Sequence, residues 1–316
     1  MKWSSKKCRI LCLLVACVFA MPLSFGKLTG LFLWTSPLLL LTTLLSRHGL
    51  AHLSILGSIS LLLIFVRHRW YCRWLCPTGF LCDAVSRWSR FTLLQKCPRM
   101  GSVVAVAVLV GAAVGVSLFA LLDPISMFHA FFNAFQGIPI SRMVVNLAGL
   151  ALVVGINTMA PKIWCTKLCP LGGLQDLAIW PRERTEKKQN VAFQQGRRLT
   201  LGVLSGLGIG LIMTKMTHAK SNKIRPPGAL TEEAFSLTCI RCGNCMKACP
   251  TDIVHSSLDA SYMTDLMTPQ VSFTSGYCLP NCTACGSVCP SGAIKRFSRA
   301  DKKTLVMGIA RIKKEG

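Results

Sequence analysis

Long apolar runs, separated by short basic segments, fill the first two thirds of the chain, and a polar, cysteine-rich region follows from about residue 224. Five runs are long enough to cross a bilayer as helices, at residues 10–25, 50–66, 102–122, 143–160 and 199–213. A sixth run, residues 28–45, is interrupted by Ser36-Pro37, where proline disfavours an uninterrupted helix. The pattern predicts an all-α membrane bundle of about five spans, followed by a separate domain.

The membrane region repeats itself with an offset of 93 residues. A Cys-x-x-x-Cys-Pro motif at residues 72–77 recurs at residues 165–170, and a proline-started apolar stretch precedes it in each half. The repeat predicts one unit over residues 1–99 and a second over residues 100–190. Because internal repeats of membrane proteins commonly form a site at their interface, we predict a metal or redox site between the halves. Its residues are Cys72, Cys76, Cys165 and Cys169.

Two alternatives for these four cysteines stay open. Each pair is then either a separate redox dithiol or a pair of small, buried apolar side chains. The other cysteines of this region fit no ligand pattern, and burial is expected for them: Cys8, Cys12, Cys17, Cys82 and Cys97.

The net charge of +24 over 316 residues would suit a nucleic-acid-binding protein, but its distribution favours a membrane protein and no nucleic acid. Basic residues concentrate before the first run and around both Cys-x-x-x-Cys-Pro motifs. The loops between these regions carry only Lys27, Arg47 and Arg142. By the positive-inside rule the basic regions face the cytoplasm. Two spans then fit before the first motif, so residues 28–45 are predicted to re-enter from the outer face, as are residues 128–135.

The C-terminal region, residues 224–316, contains two cysteine runs that each end in proline. The first, residues 239–250, reads Cys-x-x-Cys-x-x-Cys-x-x-x-Cys-Pro, the ligand run of a bacterial-type 4Fe–4S ferredoxin. The second, residues 278–290, has one extra residue in its first gap, so its loop must bulge. A zinc site or a disulfide framework is the alternative, but zinc rarely uses four cysteines and a proline twice.

In two-cluster ferredoxins the fourth cysteine of each run ligates the other cluster. This crossed ligation predicts an α+β dicluster domain that binds two 4Fe–4S clusters. The first cluster is predicted to be held by Cys239, Cys242, Cys245 and Cys289. The second is predicted to be held by Cys249, Cys278, Cys282 and Cys285.

Residues 191–223 are interpreted as an anchor span and linker between the two parts. Arg197-Arg198 precedes a mildly apolar segment and resembles a Tat signal, which exports folded domains; an ordinary basic anchor is the alternative. Export of the folded domain suits clusters that are assembled in the cytoplasm. The sequence therefore predicts a bacterial inner-membrane protein whose ferredoxin domain lies on the periplasmic side.

These motifs carry a resemblance to known families. The first two hundred residues resemble the membrane ferredoxin-type proteins of the NapH, MauN and NosR kind, which have paired Cys-x-x-x-Cys-Pro motifs. The stretch from Arg225 to Cys245 resembles NapG and MauM, exported ferredoxins of periplasmic nitrate reductase and methylamine utilisation systems. The chain looks like the two partners fused, although NapG-type proteins generally have four cluster motifs and this exported part has two.

The resemblance implies oxidation of quinol at the membrane and transfer of the electrons to a periplasmic acceptor, which is a reductase, a dehydrogenase or a cytochrome. The expected partners are therefore the lipid bilayer, the quinone pool and that acceptor. A further iron–sulfur cluster or metal is expected at the membrane cysteines. The alternative is a maturation factor that reduces a metal or cofactor of another enzyme during its assembly. No residue pattern predicts how electrons pass from the membrane cysteines to the exported domain.

Overall fold

The structure is a computed structural model, helical through its first two thirds and mixed α+β at its C-terminal end. It describes residues 2–21, 30–46, 54–88, 98–116, 122–135, 140–183, 189–216, 223–257, 266–274 and 276–308.

The two repeat units form one helical bundle. The first unit contains α1 Lys2–Ala20, a 3-10 turn Leu33–Thr35, α2 Pro37–Leu45, α3 Ser54–Val66, α4 Trp70–Trp74 and α5 Pro77–Val85. The second unit contains α6 Gly101–Ala113, α7 Pro124–Phe132, a 3-10 turn Asn133–Phe135, α8 Ile140–Met159, a π-helical turn Trp164–Leu168 and α9 Pro170–Glu183. A long helix, α10 Gln189–Met216, follows the second unit.

The short helices α2 and α7 meet at their N-termini. Each begins with proline, which needs no N–H partner at this position. Ser36 caps α2 by accepting from the amide of Leu39, and Asp123 caps α7 by accepting from the amide of Ser126. The Ser36 hydroxyl donates to the Asp123 carboxylate at 3.3 Å, which joins the two caps. With nine residues each, these helices are about 13 Å long, less than half of a bilayer core of about 30 Å.

One helical segment of the described residues is long and apolar enough to cross a membrane, residues 195–215 of α10. Shorter apolar segments lie at residues 55–66, 101–113 and 146–159. The bundle of about five spans therefore stays a prediction. Helix α10 packs closely on α6, because a Cβ added at Gly206 would lie 2.8 Å from the carbonyl oxygen of Ala107. Arg197-Arg198 lies inside α10 rather than before its first turn.

The C-terminal part has its own small core and two short strands. Its elements are α11 Glu232–Thr238, α12 Asn244–Lys247, β1 Val254–Ser256, β2 Pro269–Val271, α13 Ala284–Val288 and a 3-10 turn Asp301–Thr304. The strands pair antiparallel with Val254 opposite Val271. Arg225 is 7% exposed and ties the entry of the chain to this core, since its guanidinium pairs with Glu232 and donates to the carbonyl oxygen of Pro269. The chain is thus a helical protein with a ferredoxin-like α+β end.

Candidate iron–sulfur sites

The cysteines predicted to hold the first ferredoxin cluster line one cavity; they are Cys239, Cys242, Cys245 and Cys289. Short elements bring them together, because Cys239 ends α11, Cys245 lies in α12 and Cys289 ends α13. Backbone N–H groups point at the sulfurs: Ile294 donates to Cys289 at 3.4 Å, and Asn244 donates to Cys242.

The cysteines predicted for the second cluster line a separate cavity; they are Cys249, Cys278, Cys282 and Cys285. The irregular loop between Cys278 and Cys282 is held by Lys302. This residue belongs to a basic C-terminal tail, residues 295–316, which has eight basic and two acidic residues. The Lys302 ammonium donates to the carbonyl oxygens of Leu279 and Cys282 and approaches the Cys278 sulfur at 3.3 Å. Motif spacing does not identify Lys302, because it lies outside both cysteine runs.

Within the described part of the chain, no three His, Cys, Asp or Glu side chains are close enough to bind one metal ion together. In a cubane each cysteine binds a different iron. The two cavities, with cysteine sulfurs and N–H donors around them, fit 4Fe–4S clusters.

The four cysteines of the two Cys-x-x-x-Cys-Pro motifs converge between the two halves of the bundle. Cys76 and Cys169 occupy equivalent positions, each directly before the proline that starts α5 or α9. The amide of Gly79 donates to the Cys76 sulfur at 3.3 Å, and the amide of Gly172 donates to the Cys169 sulfur. Cys72 and Cys165 lie close enough to interact electrostatically with both Cys76 and Cys169. The structure therefore brings all four predicted residues to one place.

Crossed ion pairs between the two halves lie beside this site. Arg69 of the first half binds Asp176 of the second, and Lys162 of the second half binds Asp83 of the first at 2.9 Å. Asp83 also pairs with Arg9 of α1 at 2.6 Å. Burial opposes ionisation of Asp176, but its hydrogen bond and ion pair with Arg69 outweigh burial and lower the pKa of this carboxyl. Burial likewise opposes ionisation of Asp83, and Lys162 and Arg9 lower its pKa.

Two residues at this site were missed from the sequence. The Gln175 side chain donates to the Cys72 sulfur at 2.8 Å, and the Cys82 thiol lies within hydrogen-bonding reach of Cys165. The available signal was the 93-residue offset, which places Cys82 and Gln175 at equivalent positions. The two side chains differ in type, so a comparison of the two halves for identical residues does not identify them.

Helix α7 connects the membrane cysteines to the first ferredoxin cavity. At its start, Thr78, two residues after Cys76, donates to the carbonyl oxygen of Pro124 at 2.8 Å. At its end, Asn133 donates to the carbonyl oxygen of Cys242 at 3.2 Å. Lys247 of α12 donates to the carbonyl oxygen of His129 in the last turn of α7 at 2.8 Å. The two ends of α7, a helix about 13 Å long, therefore contact residues next to both cysteine sites.

The comparisons with known proteins agree with this arrangement. A family described as "4Fe-4S binding domain" matches residues 49–93 and 143–189, once in each half of the bundle. A family described as "4Fe-4S dicluster domain" matches residues 238–293. No solved structure matches the chain significantly.

Three relatives illustrate the similarity. The ferredoxin-type protein NapG of Escherichia coli K12 is 37% identical over 112 residues, which are 33% of this chain and 48% of NapG. The methylamine utilization ferredoxin-type protein MauM of Methylophilus methylotrophus is 31% identical over 138 residues, 40% of this chain and 60% of MauM. The ferredoxin-type protein NapH of Escherichia coli K12 is 28% identical over 148 residues, 44% of this chain and 49% of NapH. The chain spans about half the length of these relatives.

The fold, the cysteine sites and the matching families define an iron–sulfur protein of the ferredoxin type. More particularly, the chain is a 4Fe–4S electron-transfer protein related to NapG, MauM and NapH. The resemblance predicted from its motifs is confirmed.

Proposed function

We propose that this protein takes electrons from quinol in the bacterial inner membrane and passes them to a periplasmic acceptor. In this proposal the electrons enter at the membrane cysteines, continue to the first ferredoxin cluster and leave from the second. The observation that carries the proposal is the position of α7, whose two ends contact the two cysteine sites. Because electron tunnelling weakens steeply with distance, a separation of one short helix favours direct transfer.

The ligand sets of the two ferredoxin clusters line the two cavities. Cys239, Cys242, Cys245 and Cys289 hold the first cluster; Cys249, Cys278, Cys282 and Cys285 hold the second; Cys72, Cys76, Cys165 and Cys169 hold a third centre. A bound 4Fe–4S cluster exchanges single electrons, at a potential set by charge, hydrogen bonds to sulfur and exposure. The protein's contribution is to position the sulfurs and to direct N–H groups at them, as Gly79 does for Cys76.

Two observations support placement of the helical part in a membrane. Large apolar side chains are exposed on its helices, among them Ile55 at 73%, Leu62 at 67% and Leu204 at 62%, as expected for lipid-facing positions. Basic residues surround both Cys-x-x-x-Cys-Pro motifs, which favours a cytoplasmic location for that end. With α10 as the last span, the ferredoxin domain lies in the periplasm. Because α7 is less than half as long as the bilayer core is thick and contacts both cysteine sites, the membrane cysteine site then lies within the bilayer rather than at its cytoplasmic surface.

The test is quinol-dependent reduction of the ferredoxin clusters in isolated membranes, followed by their absorbance. The wild-type chain and a Cys8→Ala control, altered at an exposed cysteine of α1, should be reduced at the same rate. Cys76→Ala should abolish reduction by quinol while leaving reduction by dithionite intact. Full quinol-dependent reduction in Cys76→Ala would remove the membrane site from the path. Reduction that is needed only while another enzyme is being assembled, without turnover, would favour a maturation factor instead.

A further inference from the structure

Cys82 is a fifth cysteine at the membrane site. Its side chain is fully buried in α5 and lies within hydrogen-bonding reach of the Cys165 sulfur, across the boundary between the halves. The Asn157 amide, also fully buried, donates to the Cys82 sulfur at 3.2 Å. In a centre that binds Cys165 as a thiolate, the Cys165 sulfur has no proton to donate, so the hydrogen between the two sulfurs belongs to Cys82.

Gln175 makes the matching contact in the opposite direction. It lies 93 residues after Cys82, and its target Cys72 lies 93 residues before Cys165. The Gln175 amide nitrogen donates to the Cys72 sulfur at 2.8 Å. Its amide oxygen accepts from the backbone of Tyr71 at 3.2 Å, which fixes the side chain so that the N–H faces the sulfur. Each half therefore supplies one donor to the first cysteine of the other half.

The two donors are unequal in chemistry. An amide N–H is an ordinary hydrogen-bond donor, whereas a thiol S–H is a weak one. A hydrogen bond to a ligand sulfur stabilises the reduced, more negative form of an iron–sulfur centre and so raises its reduction potential. The hydrogen bond to Cys72 therefore stabilises the reduced form of the centre more than the hydrogen bond to Cys165 does.

We propose that Gln175 and Cys82 are a pair of positioning residues that set the reduction potential of the membrane centre through hydrogen bonds to Cys72 and Cys165. Gln175 makes the larger contribution, and Cys82 donates without being a ligand. The inference rests on the proposed membrane centre. It adds a specific origin for the potential of that centre and an inequivalence between halves that otherwise repeat.

The experiment uses the full chain purified anaerobically in detergent, with iron analysis and a redox titration followed by electron paramagnetic resonance. The signal of the membrane centre is isolated by subtraction of a Cys72→Ala variant. Gln175→Leu should keep its iron and signal and show about a tenfold loss in the equilibrium constant for reduction, equal to about 59 mV for one electron. Cys82→Ala should lower the potential by less, and Cys82→Ser, which supplies a stronger O–H donor, should raise it.

The outcomes separate the inference from the proposed function. Unchanged iron and an unchanged spectrum in Cys72→Ala would mean that no membrane centre exists, and the proposed function fails with the inference. A centre that is present but insensitive to Gln175→Leu and Cys82→Ala overturns the inference alone. Loss of the membrane signal and its iron in Cys82→Ala would make Cys82 a ligand, which also overturns it. A potential shift in Cys82→Ala that Cys82→Ser does not reverse would indicate a packing effect rather than a donor.

Discussion

Arg69 and Asp176 form an ion pair across the two halves of the bundle, with hydrogen bonds of 2.8 and 2.7 Å. Lys162 and Asp83, each 93 residues from its counterpart, form the same kind of contact in the opposite direction. Both cations lie at the same backbone position, since Arg69 and Lys162 have left-handed φ angles of 52° and 58°. A pseudo-two-fold relationship of this kind is typical of repeated membrane proteins. The two ion pairs thereby tie α5 to the second half of the bundle and α9 to the first half.

Asp176→Asn should therefore loosen the bundle. With both side chains about a quarter exposed, the loss should lie between those of exposed and buried pairs, about 1 to 2 kcal/mol. The measurement is thermal unfolding of the full chain in detergent. The reversed pair, Arg69→Asp with Asp176→Arg, should recover part of the loss, and Arg67→Ala, at an exposed neighbour, should change little. Equal unfolding temperatures for wild type and Asp176→Asn would contradict a stabilising role.

The ion pair between Arg69 and Asp176 also predicts how the stability of the protein changes with pH. Arg69 holds the pKa of Asp176 below its usual value. The carboxylate therefore contributes fully to folding stability at any pH above that usual value. It is lost as the pH falls through the lowered pKa of the folded state. The difference in unfolding temperature between wild type and Asp176→Asn should therefore shrink only below about pH 4.

The sequence predicted the elements whose chemistry requires a fixed spacing. Cys239, Cys242 and Cys245 must share one loop to face one cubane, so their pattern is legible without a structure. The 93-residue repeat likewise predicted that Cys76 and Cys169 have equivalent places, and the structure puts both before a helix-starting proline. These features are local, or are copies of a local feature.

The residues that surround these cysteines could not be predicted in the same way. Gln175 and Lys302 reach their sulfurs by long-range packing, over separations of 103 and 24 residues. Nothing in their own neighbourhoods marks them, because a glutamine on a helix and a lysine in a basic tail are common. The hydrogen bond from Asn133 to Cys242 could not be predicted for the same reason. The connection that α7 makes between the two cysteine sites could therefore not be predicted either. Cys97, for which burial is expected, lies outside the described residues.

Gly243 should prove necessary for the contact between the ferredoxin domain and the bundle. Its φ is +74°, and a Cβ there would lie 1.5 Å from the side-chain nitrogen of Asn133. Gly243→Ala should destabilise the protein by more than the cost of backbone strain alone, which is about 1 to 3 kcal/mol. The measurement is the temperature at which the cluster absorbance is lost. Gly115→Ala is the control for strain, because Gly115 has φ +95° and no atom within 4 Å of an added Cβ.

A second substitution tests the origin of this effect. Asn133→Ala removes the atoms that an alanine at position 243 would meet, so the double variant should be less destabilised than the sum of the two single changes. If the two changes prove additive, a clash with Asn133 does not cause the destabilisation by Gly243→Ala. Asn133 then does not lie against Gly243 and Cys242 as described.

Topology is predicted from the basic residues together with α10. Reporter fusions after Met100 and after Arg184 should report the cytoplasm, and a fusion after Ser221 should report the periplasm. Replacing Arg197-Arg198 by Lys-Lys should block export of the ferredoxin domain while the preceding spans still insert. Export that is unchanged in a strain without the Tat translocase would reject this route, and a cytoplasmic signal after Ser221 would reject the orientation itself.

Lys302 should support the irregular second cluster loop and raise the potential of its cluster. Its ammonium donates to the carbonyl oxygen of Cys282 at 2.7 Å and lies 3.3 Å from the Cys278 sulfur. A cation beside a ligand sulfur favours the reduced, more negative cluster. Lys302→Met should therefore lower the midpoint potential by tens of millivolts, given that a tenfold change corresponds to about 59 mV for one electron.

The neighbouring residue provides a matched control for this prediction. Lys303 is exposed and carries the same charge one position further along the chain, so Lys303→Met changes the net charge equally without removing a contact to the loop. Redox titration of both variants separates the local contact from the overall charge. Lys302→Arg keeps the charge but not the compact ammonium, and it should recover the potential more fully than the stability of the loop. Equal shifts in Lys302→Met and Lys303→Met would show that the tail acts only through its net charge.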